Sequence, residues 1–171
     1  MAYLGRGFYR SKIPLRAIGV FPTWDRLIFA VRKDIGIESL DDVKRQKYPL
    51  RISTRRRGKL QTTVYAIEEV LKSYGMNLKQ IESWGGKVME AASPSSKDRR
   101  DHIESGSAEA VFDEGVKSWG KRALDAGMRF LPINDAAAKH MGKLGFPSAL
   151  LTRKHYPKME RDIDCIDFSG W

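Results

Sequence analysis

The stretch richest in potential chemistry is Ile52-Ser53-Thr54-Arg55-Arg56-Arg57-Gly58-Lys59. Residues 49–54 alternate in a way that predicts a strand, and a helix is predicted to begin at Lys59. In an open α/β sheet, ligands collect beyond the carboxyl ends of the strands. A helix beginning there offers free backbone N–H groups and the positive end of its dipole. The hydroxyls of Ser53 and Thr54, the guanidiniums of Arg55, Arg56 and Arg57, and the turn at Gly58 therefore make a candidate pocket for a small anion. Arginine suits this role because it grips a carboxylate through two parallel hydrogen bonds. A solvated basic turn would have the same sequence. The stretch is not a nucleotide-binding P-loop, since GxxxxGK[ST] is absent.

Phe112-Asp113-Glu114-Gly115 is a second candidate, again at an expected strand end. Neighbouring side chains on an extended chain point to opposite faces, which argues against Asp113 and Glu114 as an acid–base pair. Contact with a ligand or capping of the next helix suits them better. Trp84-Gly85-Gly86 is the third candidate, a turn whose aromatic ring would line a pocket or fill core. The three histidines, His102, His140 and His155, lie far apart and match no metal-ligand spacing. A single cysteine, Cys165, excludes both an internal disulfide and a cysteine zinc cage. It reads as a small buried residue on a strand. No nucleophile elbow and no dinucleotide fingerprint is present, so no catalytic residue, metal or cofactor is expected.

These residues need elements to hold them. Strands are expected at 15–20 (LRAIGV) and at 27–31 (LIFAV), where the unbroken apolar run implies burial on both faces. Phe21-Pro22 begins a turn. Ser39-Leu40-Asp41-Asp42 has the form of a helix N-cap. Leu60, Val64, Ile67, Leu71 and Tyr74 form one helical stripe that Gly75 ends. Asn77 caps a short helix. A polar helix over 97–105, a strand at 108–112, a helix at 116–126, a strand at 128–133, a helix capped by Asn134 and a last alternating stretch at 163–168 complete the chain. Strand and helix alternate, which argues α/β with a largely parallel sheet flanked by helices.

A net charge of +10 favours anionic partners without choosing among them. No run approaches the roughly 20 apolar residues that span a bilayer. The first fourteen residues are basic without an apolar core, and so do not read as a secretory signal.

The run LRAIGVFPTWDRLIFAVRKDIGIESLDDVK resembles the central segment of TAXI-type solute receptors of TRAP transporters. The ordered stretches ISTRRRGK, IESGSAEAVFDEG and MRFLPIND extend the resemblance to about Trp171. It departs from the family where arginines replace small residues in the turn and where Glu109 stands in place of Asp. The resemblance implies a type II periplasmic-binding-protein fold and an extracytoplasmic receptor that closes on a small organic anion such as a carboxylate. It also implies docking on membrane transporter subunits, without nucleic acid as a partner. It divides the chain into a partial first lobe and hinge (1–47), a second lobe (48–133) and a return towards lobe one (134–171). The chain is then an internal piece, and self-association would cover strands such as LIFAV. Two further classes remain open: an enzyme on the same fold, similar to pyrimidine-precursor synthases, and a basic nucleic-acid-binding module, whose affinity would fall steeply with salt.

Overall fold

The computed structural model describes every residue except Met1, Arg6, Phe8, Ala17, Val20, Phe21, Pro22, Lys59, Leu60, Gly170 and Trp171. The LIFAV run forms β1 (Arg26–Arg32), whose central five residues are buried on both faces. Ser39 then caps α1 (Leu40–Gln46), its hydroxyl accepting from the Asp42 N–H. Next come β2 (Arg51–Arg55), α2 (Thr62–Ser73), α3 (Leu78–Ser83) and β3 (Lys87–Ala91). The chain continues through α4 (Lys97–Glu104), β4 (Ala110–Asp113), α5 (Val116–Asp125) and β5 (Met128–Leu131). It ends with α6 (Asp135–Lys143), β6 (Ser148–Leu151) and β7 (Ile163–Asp167).

The seven strands form one sheet in the order β3-β2-β4-β1-β7-β6, with β5 also paired to β1. β2 is parallel to β3 and β4. β1 is antiparallel to β4, β5 and β7, and β6 is antiparallel to β7. Five strands thus share one direction while β1 and β6 oppose it. β1 gives one edge to β4 and divides the other between β5 (Phe29–Arg32) and β7 (Arg26, Leu27).

The period-two alternation of strand side chains sorts the core into two layers. Leu27, Phe29 and Val31 of β1 face one side, with Ala110 and Phe112 of β4, and pack on α1, α2, α3 and α6. Ile28 and Ala30 face the other, with Val111, and pack on Val116, Trp119 and Ala123 of α5 and Ile103 of α4. Cys165 lies in this second layer on β7, and burial pushes its thiol up to about 12.

The expected strand over 15–20 does not form among the described residues. Leu15, Arg16, Ile18 and Gly19 lie outside any strand, with Leu15 and Ile18 exposed. Both edges of β1, the strand that follows this segment, are taken by β4, β5 and β7. The other two expected members of that strand, and Phe21 and Pro22, fall outside the described residues. β3 and β6 are strands that the pattern of residues did not announce. The stretches 1–47, 48–133 and 134–171 all contribute strands to the single sheet.

Candidate functional site

β2, β3 and β4 run in parallel and end together. Their carboxyl ends lead through short loops to the first turns of α2, α4 and α5. The loops touch. Gly115 enters α5 at φ +67°, and a Cβ built on it would fall 2.5 Å from Cγ of Pro94 in the loop before α4. The Gly115 N–H donates to Asp25 at 2.7 Å, which ties the start of β1 to the same edge.

Period-two alternation puts Ser53 and Arg55 on the α4 face of the sheet, beside Asp113 of β4. From α4 the guanidinium of Arg99 reaches under them. It donates to Ser53 Oγ at 2.5 Å and to Asp113 Oδ2 at 2.5 Å. Arg99, Ser53 and Asp113 have no exposed surface. Arg55 lies 3.5 Å from Asp113 and is also paired with Glu114. Thr63 donates to Glu114 at 3.4 Å, and Trp119 Nε1 donates to the Glu114 carbonyl at 2.9 Å. The Nε atoms of Arg55 and Arg99 are buried without a hydrogen-bond partner.

Electrostatics follow from this geometry. Burial pushes the Asp113 carboxyl up against the pull of Arg99 and Arg55, and burial also draws the Arg99 guanidinium down. Glu114 is pushed up to about 7 by burial first, then by the neighbouring carboxyls of Asp25 and Asp113, with Arg55 opposing. Burial and Arg99 hold His102 below the ordinary imidazole value. Its Nδ1 is 2.8 Å from Ser53 Oγ. Ser53 already accepts from Arg99, so its own proton is free for the neutral ring. With no exposed surface, Ser53 has no route to a substrate as a nucleophile.

The other expected residues divide. Thr54 is buried and its hydroxyl donates to the Arg55 carbonyl at 3.2 Å. Arg56 extends the ladder, its N–H donating to Ala91 O at 2.9 Å. Its side chain is exposed and makes no ion pair among the described residues. Arg57 is held by Glu90 at 2.7 Å and Glu82 at 3.5 Å, and Gly58 is exposed beside it. Phe112 is core, its ring edge-on to Phe29. Trp84, Gly85 and Gly86 do not join the group. They precede Lys87, which pairs with Arg51 at the far end of β2 from Arg55. A Cβ on Gly86 would stand 2.6 Å from Leu50 O and 2.7 Å from Ile81 O, so close backbone packing requires this glycine.

The histidines do not converge. His102 meets Ser53, His140 meets Glu69 at 2.6 Å, and His155 stacks on Trp24. Among the described residues, no group of three or more metal-ligating side chains is placed to hold an ion. No helix there is long and apolar enough to cross a membrane. Asp25, Thr63 and Arg99 belong to the cluster although the sequence did not single them out, and so does His102, which the sequence set aside for want of a metal-ligand spacing. A signal for Arg99 existed: it lies one turn before Ile103, the buried apolar residue of α4.

No family model matches the chain, and no curated protein matches it. Among solved structures it is similar to the L-cystine solute receptor of Neisseria gonorrhoeae in its unliganded open conformation. The TM-score is 0.36 at 14% identity, over 72% of this chain and 51% of that one. The chain thus spans about half the length of that receptor.

Proposed function

We propose that the protein is a solute-binding receptor that takes a small organic anion at the carboxyl edge of β2, β3 and β4. The observation that carries this reading is an exposed arginine, Arg56, at the carboxyl end of β2, where β3 and β4 also end. Arg55 and Arg57 are held by Glu114, Glu90 and Glu82, whereas Arg56 is free to meet a ligand. The buried Arg99–Asp113 pair beneath is a rigid floor, and Gly58 leaves the backbone of the loop accessible. Under the TAXI-type resemblance, the anion is a carboxylate and a second body closes over it by hinge motion. The ligand then passes to a membrane transporter outside the cytoplasm. In this reading Trp84, Gly85 and Gly86 take no part in the site.

Glu114 supports a second reading, an enzyme on the same scaffold. A carboxyl raised to about 7 is poised for proton transfer near neutral pH. A reaction abolished by Glu114→Gln, with folding retained, would favour that reading.

A thermal-shift scan against acetate, succinate, glutamate and inorganic phosphate tests the receptor reading, with duplex DNA at two salt concentrations as control. A ligand at about 100 times its Kd adds roughly 2.7 kcal/mol of stability. One salt-tolerant acid is expected to raise the melting temperature, and Arg56→Ala is expected to weaken it roughly tenfold or more. An unchanged affinity in Arg56→Ala removes the site from this edge. A shift with DNA alone, lost at high salt, replaces the receptor by a nucleic-acid-binding module.

A further inference from the structure

At the end of the sheet away from Arg55 and Asp113, a hollow of about 220 Å³ lies beside β5. The register pairs Arg32 with Met128, so the end of β1 and the beginning of β5 meet there. Met128, Phe130 and Met159, nearly buried in the core, show narrow apolar edges in the floor of the hollow. Its charged lining is Lys33, Arg129, Lys158 and Arg161 against Glu38 and Glu160, a surplus of two positive charges over the carboxylates that share the hollow.

The carboxylates are held loosely. Glu160 lies 2.7 Å from Lys33, and Glu38 pairs with Arg129. Their side chains are 58% and 68% exposed, so both pairs are screened by water and exchange readily. Among the cations Arg129 is held most firmly. The Arg129 side chain is 16% exposed, donates to Ile37 O at 2.9 Å, and keeps a buried Nε without a partner. Lys158 is 2.5 Å from Asp125, while Arg161 makes no ion pair among the described residues. Lys33, Arg129 and Arg161 all act to keep Glu160 ionised. The chain's own Glu160 carboxylate therefore occupies a basic seat beside apolar surface.

We propose that this hollow is a second ligand site, taking a small carboxylate with an apolar body, such as an aryl acid, in competition with Glu160. The apolar body lies against Met128, Phe130 and Met159. The carboxylate takes the place of the Glu160 carboxylate against Lys33 and Arg161. The site shares no residue with the carboxyl edge of β2, β3 and β4, and does not depend on the function assigned there.

Calorimetric titration of benzoate into the full chain tests the proposal, with acetate as the probe lacking an apolar body. Benzoate is expected to bind and acetate to bind far more weakly. Glu160→Gln is expected to tighten benzoate several-fold by removing the internal competitor. Arg161→Ala is expected to weaken it roughly tenfold. Both residues are exposed, so both variants keep the fold. Asp98→Asn makes the same change in charge at the opposite end of the sheet, and Arg56→Ala alters the other candidate site; neither is expected to change the affinity. Equal tightening by Glu160→Gln and Asp98→Asn would mean diffuse attraction and overturn the proposal. So would an absence of benzoate binding, or acetate binding as tightly as benzoate. Loss of benzoate binding in Arg56→Ala would assign the ligand to the other edge.

Discussion

The two ends of the sheet use pairs of cation and carboxylate in opposite ways. At the carboxyl edge of β2 and β4, Arg99 and Asp113 have no exposed surface and lie 2.5 Å apart. Beside β5, Glu160 and Glu38 are more than half exposed and meet their cations from the solvent side. Burial makes the first pair part of the framework, because either ion left alone would carry a large desolvation cost. Exposure makes the second set exchangeable. The difference teaches that charge suited to a ligand is the charge the fold has not already consumed: Arg56 at one end and Arg161 at the other.

The largest expected effect breaks the buried pair. Arg99→Met leaves Asp113 buried with the longer contact to Arg55 as its one remaining cation, beside the Glu114 N–H that its Oδ1 accepts at 2.9 Å. It should cost about 3–5 kcal/mol in urea denaturation, and Arg99→Met with Asp113→Leu should recover much of that loss. A mild single variant would mean that water reaches the pair and the contrast between the ends is weaker than described. Next is the pH response. Glu114 is an acid whose folded value, about 7, lies above its ordinary value of 4.5. The folded state therefore holds its proton more tightly than the unfolded state. The stabilisation is complete below the ordinary value and is lost as pH rises through about 7, by at most about 3 kcal/mol. Glu114→Gln should flatten that segment of the stability–pH curve, and an unchanged slope would place its origin in another group. Smallest is the exposed set. Lys33→Ala should change stability by no more than about 0.5 kcal/mol, since it breaks only a solvent-screened pair. A larger loss would mean that the hollow, too, is framework.

Local chemistry made much of this fold legible. Ser39, Asn77 and Asn134 announced their helices because a cap is a contact between a side chain and a backbone N–H three residues on. The unbroken apolar run 27–31 announced a strand covered on both faces. It did not announce its direction, since periodicity carries no sign, and β1 runs against its three partners. β3 and β6 lie at the two ends of the strand order, where part of each strand faces water and the alternation is weak. The run at 15–20 had a strand-like pattern, but the described residues of that run pair with no strand. In the site, the strand-end position of Arg55, Asp113 and Glu114 was legible. The burial of Arg99 had only its spacing from Ile103 as a signal, because KDRRDHIE otherwise reads as a solvated helix until Asp113 from a distant strand supplies its counter-ion.

β1 is made early and completed late. Its ladder needs Asp113, then Leu131, and finally Asp167, which lies 141 residues beyond Arg26. At about 5–20 residues per second, a ribosome takes roughly 7 to 28 s to cover that span. Throughout that interval Leu27, Ile28, Phe29, Ala30 and Val31 form an apolar strand with an open edge, a hazard for intermolecular pairing. Such non-local closure also slows folding of the finished chain, since the loop entropy is lost before the contacts form. Yield in the cell should therefore depend on how well that one strand is shielded during synthesis as well as on the stability of the finished sheet.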